Sequence, residues 1–217
     1  MDVLNDIKER LEFLKEMGVT TLPISMAQSA PLSERVRQCE KCGLSSERIN
    51  ALPGAGGTAH GIMFVSMMPS EEEDSTGRLF SGKAGELLLL IITGAFKMTR
   101  DDVYVTNVIK CRGAGGRLPS AEEITACLPY LEEEINAVRP KVIITLGDGA
   151  INSLLNRSEG AARLRGKFYS YKGIKITPIY HPTELVEKPS LKRETHEDVK
   201  MVISEINSMA GIDEKGR

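Results

Sequence analysis

Short apolar runs alternate with segments of helical periodicity from residue 61 onward, and this alternation leaves the chain few possible folds. When a helix connects two consecutive strands, the strands usually lie parallel in the same sheet. The connecting helices then cover both faces of that sheet. The predicted strands are residues 62–65, 103–109, 142–146 and 174–179. The predicted helices are residues 85–96, 121–138, 148–155 and 192–209. The sequence therefore predicts the α/β class, with a mainly parallel sheet between two layers of helices.

The helix predicted from residue 121 has the clearest start signal. Ser120 precedes it and Glu123 follows three positions later. A serine hydroxyl at the N-cap accepts a hydrogen bond from the third helical amide, and a glutamate there returns a bond to the N-cap amide. The sequence therefore predicts a capping box at this position.

The chain is long enough for one domain. Its 217 residues, of which 41% are hydrophobic, can bury a sizeable core. Residues 2–17 repeat apolar positions at helical spacing, whereas residues 20–32 contain two prolines and small polar residues. We therefore divide the chain into an N-terminal helix and linker (residues 1–38), one α/β domain (residues 39–210) and a tail (residues 211–217).

The charge balance does not identify a partner. Lys and Arg together number 28 and Asp and Glu number 30, so a nucleic-acid-binding surface would have to be a local patch. The longest apolar stretch, residues 87–96, is too short to cross a bilayer, and no leader pattern opens the chain. We expect a monomeric cytoplasmic protein that does not bind membranes.

Unusual residues are concentrated in three of the predicted loops, residues 66–74, 107–117 and 181–185. Each loop follows a predicted strand. In open α/β sheets, ligands bind at the carboxyl ends of the strands. We therefore expect these three loops to face one cleft.

The four cysteines predict a metal site. Cys39 and Cys42 form a C-x2-C pair, and Cys111 and Cys127 follow far downstream with fifteen residues between them. In a reducing compartment, such thiols are more often metal ligands than disulfides. Four thiolates can hold a zinc ion or a 4Fe-4S cluster, and the spacing alone does not choose between them. The alternative is four unlinked thiols, two of them in the core.

An ordered set of motifs from Cys39 to the end of the chain resembles the type-four, iron-sulfur uracil-DNA glycosylases. The set is more specific than any one of its members. It comprises Cys39 and Cys42, Pro53-Gly54, Pro69 with the acidic run 71–74, Gly77-Arg78-Leu79-Phe80, the run 106–112 (TNVIKCR), Cys127, and His181-Pro182.

This resemblance implies a fold, a cofactor and an activity. The fold would be a three-layer α/β/α sandwich around a four-stranded sheet. Cys39, Cys42, Cys111 and Cys127 would ligate a structural 4Fe-4S cluster rather than zinc. The activity would be DNA repair: hydrolysis of the N-glycosidic bond of uracil, or of another deaminated base, in DNA.

The resemblance also assigns catalytic roles. The Asn107 amide would pair with the O4 and N3-H edge of uracil, a pattern that rejects cytosine. His181 would donate to uracil O2 as negative charge develops there. Both residues also have ordinary structural interpretations, Asn107 as a turn cap and His181 as a loop histidine bonded to a carbonyl.

The remaining predicted substrate contacts surround the flipped base. Phe80 would stack on it, and Leu185 would fill the hole that it leaves in the duplex. Ser66 and Met67, in the first motif, would line the base pocket. Leu185 could equally be the first apolar residue of a supporting turn.

Met67 departs from the family pattern. The first motif is Gly-Glu-x-Pro-Gly in the family, and its glutamate is held to orient or activate water, whereas this chain reads Ser-Met-Met-Pro-Ser at residues 66–70. A thioether cannot act as a general base. A carboxylate of residues 71–74 could substitute.

Two other hypotheses compete with an active glycosylase. The first is a catalytically silent iron-sulfur module of the same superfamily that binds DNA or uracil. The second is a zinc-stabilised α/β protein unrelated to nucleic acid. Colour discriminates the second, because a zinc site is colourless and an iron-sulfur cluster is not.

Overall fold

The computed structural model describes residues 12, 15, 17 and 30–209. Apart from residues 12, 15 and 17, the helix predicted over residues 2–17 lies outside the described residues, as do the linker up to residue 29 and the tail from residue 211. The chain separates into two compact units, residues 1–31 and residues 32–217. The second unit contains the sheet and the helices that pack on it.

Strands and helices alternate along this unit. The strands are β1 (Ala55–Gly56), β2 (Ile62–Ser66), β3 (Tyr104–Asn107), β4 (Val142–Leu146), β5 (Tyr169–Tyr171) and β6 (Ile174–Ile179). The helices are α1 (Leu32–Arg37), α2 (Glu71–Thr76), α3 (Gly82–Gly94), α4 (Ala121–Val138), α5 (Gly147–Leu155), α6 (Ala161–Leu164), α7 (Pro182–Glu187) and α8 (Lys192–Met209).

Within the described residues, the strands form one six-stranded sheet in the order β1-β3-β2-β4-β6-β5. Strands β3, β2, β4 and β6 run parallel, as predicted, and β1 and β5 add short antiparallel edges. From β2 the chain goes first to β3 on one side and later to β4 on the other, so the topology reverses at β2. The carboxyl ends of β2 and β4 therefore flank the crevice where ligands bind in such sheets.

Each face of the sheet is covered by helices, which gives the predicted three-layer sandwich. On one face, Met63 and Ile143 of the sheet belong to the same buried cluster as Leu131 of α4 and Ile151 of α5. On the other face, Phe64 and Ile144 pack with residues of α3 and α8. Strands β2 and β4 are buried on both faces, which explains why they are apolar without alternation.

The longest predicted elements are confirmed. Helix α4 begins and ends where predicted, and Ser120 and Glu123 form the predicted capping box. The edge strands β1 and β5 are too short to produce a periodic pattern. Helix α2 was missed because it is acidic and lacks an apolar stripe, although Ser70 and Glu73 cap it in the same way.

A buried ion pair lies where the functional loops leave the sheet. The Lys110 ammonium is 2.7 Å from Glu134 Oε2 of α4 and also donates to the Thr106 hydroxyl and the Asn107 carbonyl. Glu134 Oε1 accepts a hydrogen bond from the Gly54 amide, so both oxygens of the carboxylate have partners. This network holds the end of β3 against α4 and fixes the backbone of Asn107.

The described part of the chain contains no helix that is long and apolar enough to cross a membrane.

Candidate active site

A cleft of about 520 Å³ opens at the carboxyl ends of the parallel strands. The loops after β2, β3 and β6 all contribute to its lining, which confirms the prediction that they face one cleft. The predicted site residues that line it are Ser66, Met67, Phe80, Asn107 and His181. The N-terminal residues of α5 also line it, so that the positive end of this helix lies beside the site.

The His181 ring is oriented by the helix that it caps. His181 is the N-cap of α7, Pro182 is the first residue of that helix, and the Glu184 side chain accepts a bond from the His181 amide. The Thr183 amide donates to His181 Nδ1 at 3.2 Å. Nδ1 is therefore an acceptor, and the neutral ring carries its proton on Nε2. Nε2 lies 3.1 Å from Ser66 Oγ, in the cleft.

The neutral form of His181 is also favoured by burial. Desolvation lowers the pKa of this imidazole from 6.5 to about 4. A Cβ at residue 147 would lie 2.9 Å from the Cβ of His181, so Gly147 permits this close packing, and its φ of 74° also suits glycine. At neutral pH, the ring is an uncharged donor fixed by its surroundings.

Asn107 lines the cleft and has an unpaired side-chain donor. The residue is 2% exposed and ends β3. Its Nδ2 is buried and has no hydrogen-bond partner among the described residues. Buried polar groups are nearly always paired, so such an orphan requires an explanation. A ligand in the cleft would provide the missing acceptor.

Phe80 has a strained backbone at the wall of the cleft. Its φ is 68°, in the left-handed region that a phenylalanine rarely adopts. The Phe80 amide donates to Glu73 Oε1 at 2.9 Å, while Oε2 of the same carboxylate accepts a bond from Ser70. The Arg100 guanidinium lies 4.9 Å from the ring centroid. Strain that neighbouring groups maintain in this way is typical of functional sites.

Met67 lies against α5. Its Sδ accepts a bond from the Ser153 hydroxyl at 3.5 Å, and a Cβ at residue 149 would come within 2.9 Å of its Cγ. Gly149 therefore makes room for the methionine. The side chain is half-buried and lines the cleft without a strong hydrogen-bond acceptor.

The four cysteines border one small cavity beside Lys110 and Tyr130. All four are free thiols. Arg48 donates to Cys111 Sγ at 3.2 Å, and the Lys110 amide donates to Cys127 Sγ at 3.4 Å. Burial raises the pKa of Cys127 to about 11 and raises that of Cys111.

Comparison with known proteins identifies the family. The model of the uracil DNA glycosylase superfamily matches residues 53–200. The chain is 38% identical to the type-4 uracil-DNA glycosylase of Saccharolobus solfataricus, over 82% of this chain and 86% of that protein. It is 39% identical to the Sulfurisphaera tokodaii protein of the same name (79% and 81%) and 37% identical to that of Pyrobaculum aerophilum (78% and 90%). The chain belongs to the type-4 uracil-DNA glycosylase family.

One residue expected from the resemblance to this family does not lie in the cleft. Leu185 is 1% exposed and packs on the opposite side of α7, beside Leu87 of α3 and Val199 of α8. The substrate contact predicted for it conflicts with this burial. Leu185 instead occupies the position that the sequence offered as its alternative, the first apolar residue of a supporting turn.

The acidic run after the first motif divides into two pairs. Asp74 accepts bonds from the Ile49 and Asn50 amides, and Glu73 supports Phe80 and Ser70. Both carboxylates are therefore structural. Glu71 and Glu72 are exposed and line the cleft. Of the acidic residues considered as substitutes, these two are in a position to reach water.

Sequence reasoning missed the residues that support Phe80. Glu73 could have been found, because Ser70 and Glu73 have the spacing of a capping box. Arg100 could not, because it lies twenty residues from Phe80 and no local pattern connects them.

The state of His181 gives a pH prediction. Because the folded protein holds the pKa of His181 near 4, below the usual 6.5, the ring stays neutral from pH 8 down to about pH 5. We expect its NMR titration midpoint near pH 4, and folding stability that falls as the pH drops from 6.5 towards 4, since the unfolded chain binds the proton first. This fall in folding stability should be absent in His181→Gln. A midpoint near 6.5 would contradict this assignment.

Proposed function

We propose that this chain excises uracil from DNA by hydrolysing the N-glycosidic bond, as a DNA repair enzyme. The observation that carries the proposal is the unpaired Asn107 amide, buried in the same cleft as the fixed Nε2 donor of His181. A glycosylase of this kind takes a flipped nucleotide into a pocket and reads the base edge there. We expect it to act as a cytoplasmic monomer.

Base recognition would come from Asn107. Its Nδ2 donor complements uracil O4, and its Oδ1 acceptor complements the N3-H of uracil. Cytosine presents a donor and an acceptor in the opposite order, so it would leave the amide unpaired. Lys110 donates to the backbone carbonyl of Asn107, which fixes the main chain from which the side-chain amide projects.

Leaving-group stabilisation would come from His181. As the bond between N1 and C1′ breaks, negative charge collects on the uracil oxygens, and a preorganised donor aimed at O2 is strengthened by the poorly hydrated site. The ring needs no proton transfer for this role, because Nε2 already carries hydrogen. The N-terminus of α5 adds a favourable field at the same end of the cleft.

Water activation would be weak in this chain. Met67 occupies the position of the family glutamate and cannot accept the proton. Bond breaking in a reaction with an oxocarbenium-like transition state depends mainly on the leaving group, so excision can proceed while water is poorly oriented. We propose a slow enzyme rather than an inactive one.

Uracil release from single- and double-stranded oligonucleotides by anaerobically purified protein tests this function. Wild type should release uracil, and His181→Ala should lower kcat roughly 10²- to 10³-fold by removing the leaving-group donor. Met67→Glu should raise kcat, by up to about 10²-fold, and the matched variant Met67→Gln, which cannot take a proton, should not.

Two results would contradict the proposal. Release that is unaffected by His181→Ala would remove the assigned chemistry. No release by wild type together with clear release by Met67→Glu would indicate the silent binding module, in which the pocket is intact and excision is lost.

We further propose that Cys39, Cys42, Cys111 and Cys127 ligate a 4Fe-4S cluster. Four thiols around one cavity, two of them receiving N–H bonds at sulfur, form a donor set suited to iron-sulfur chemistry. Among residues 12, 15, 17 and 30–209, no three His, Cys, Asp or Glu side chains converge into a group that could hold a metal ion. A cluster of four irons spans more widely separated thiols than a single ion does.

The cluster would be structural. It would join the segment after α1 to the segment from β3 to α4, which also carries Asn107. Lys110 and Arg48 would stabilise the sulfur charge through the bonds already present. Because burial raises the pKa of Cys127 to about 11, removal of the cluster would leave Cys127 as a neutral thiol.

Anaerobic purification tests the cofactor. We expect brown protein with about four irons per chain, and Cys127→Ser should lose colour and thermal stability, because one ligand is weakened and the thiols lose their cross-link. Thr125→Ser, an exposed change on the same helix, is the matched control and should remain brown. Colourless wild-type protein containing zinc would contradict the assignment.

A further inference from the structure

The loop between Cys111 and α4 presents one large apolar side chain to solvent. Leu118 is 75% exposed and also lines the cleft, so it lies at the rim. Large exposed hydrophobic side chains occur at six positions within the described part of the chain, and Leu118 is the one among them that borders this cleft. A single exposed leucine is ordinary on a protein surface, and Leu118 is distinguished by its position and by the contacts that support its loop.

Ion pairs hold the backbone next to Leu118 in place. Arg117 makes hydrogen-bonded ion pairs with Glu47 and with Glu123, at 2.6 and 2.8 Å for the closest atoms. Glu47 also accepts a bond from the Ala114 amide, and Glu123 belongs to the capping box of α4. These contacts fix the residue before Leu118, while Pro119 after it restricts the backbone.

A second contact holds the same loop against the first motif. Arg112 donates to the Pro69 carbonyl at 3.1 Å, and its guanidinium lies over Gly116. The loop therefore connects the wall of the cleft to the cysteine cavity. Leu118 projects from a support that is already ordered, so placing it against a partner costs little conformational entropy.

A flipped nucleotide leaves a gap in the duplex, and proteins that open a base stack commonly insert an apolar side chain there. Leu185, which the sequence offered for this role, is a buried residue of α7 that faces α3 and α8, so it cannot reach DNA without displacement of that helix. We propose that Leu118 enters the base stack of duplex DNA at the space vacated by the uracil nucleotide. This inference rests on the proposed function and adds a residue that determines which DNA form is used.

The proposal makes the effect of Leu118 depend on the substrate. In single-stranded DNA there is no complementary strand to open, so the side chain has nothing to replace. In a duplex, an inserted leucine buries its apolar surface against the faces of the neighbouring bases. This burial stabilises the complex, and alanine provides much less of it. A U·A pair should depend on Leu118 more than a U·G mispair, because the mispair costs less to open.

Leu118→Ala tests the proposal, with Leu90→Ala as the matched control. Leu90 is 65% exposed on α3 and does not line the cleft. Leu118→Ala should lower kcat/KM on U·A duplex roughly tenfold or more, with a smaller loss on U·G and none on single-stranded uracil DNA. Leu118→Met, which keeps an apolar side chain of similar length, should restore most of the duplex activity. Leu90→Ala should match wild type on every substrate.

A binding measurement provides a readout that does not depend on turnover. 2-Aminopurine beside the uracil fluoresces more strongly when the stack opens, and the increase on binding should be large for wild type and Leu90→Ala and much smaller for Leu118→Ala. An equal fluorescence increase for wild type and Leu118→Ala would overturn the inference about Leu118 but not the proposed function. Equal losses of kcat/KM on single- and double-stranded DNA in Leu118→Ala would do the same. Absence of uracil release by wild type from both single- and double-stranded DNA would instead overturn the proposed function.

Discussion

The buried ion pair between Lys110 and Glu134 is the interaction on which the site depends. Both side chains are almost completely removed from water, at 2% and 1% exposure, so each charge must be compensated by its partners. The surrounding bonds from Thr106 and Gly54 and to the Asn107 carbonyl provide this compensation. Loss of one partner would leave an unpaired buried charge. The pair therefore fixes three segments together: the end of β3, the middle of α4 and the turn before β1.

Asn107 and the cysteine cavity occupy the two sides of this pair. The strand ends at Asn107, the ion pair follows at Lys110, and Cys111 comes immediately after it. A cluster bound by the four thiols would hold the same segment from the far side. The recognition amide would then be positioned by a charge network and a cofactor together. The loop that carries Leu118 also begins at Cys111. The ion pair therefore supports both the cleft residue Asn107 and the rim of the cleft.

Two of the groups proposed to contact the leaving base, His181 and Phe80, are oriented by their neighbours, whereas the carboxylate expected to act on water is absent from the first motif. His181 is fixed by the Thr183 amide and Phe80 by the Glu73 carboxylate. Met67 is packed equally well, against Gly149 and Ser153, but brings no acceptor to the cleft. If the proposed roles hold, the chain retains the groups that stabilise the leaving base and lacks the one that orients water.

Much of this arrangement could be predicted from sequence, because apolar periodicity indicates alternating strands and helices, and the cleft follows from the ends of parallel strands. The order of the strands and the two short edge strands were not predicted. The number and spacing of the cysteines predict a metal site, and the four side chains border one cavity, while the cluster itself stays a prediction. The DNA contact predicted for Leu185 conflicts with its burial, because a helix begins at Pro182 and the spacing of the motif does not specify which residues of its first turn face the core. The supports of Phe80 and the exposure of Leu118 depend on contacts between residues distant in the chain, such as Arg117 with Glu47.

The most direct test is a crystal structure of the anaerobically prepared protein with free uracil bound. We expect the ring to lie against Phe80, with O4 about 3 Å from Asn107 Nδ2 and O2 about 3 Å from His181 Nε2. Uracil bound elsewhere, or bound in the cleft with the Asn107 amide still unpaired, would contradict the account.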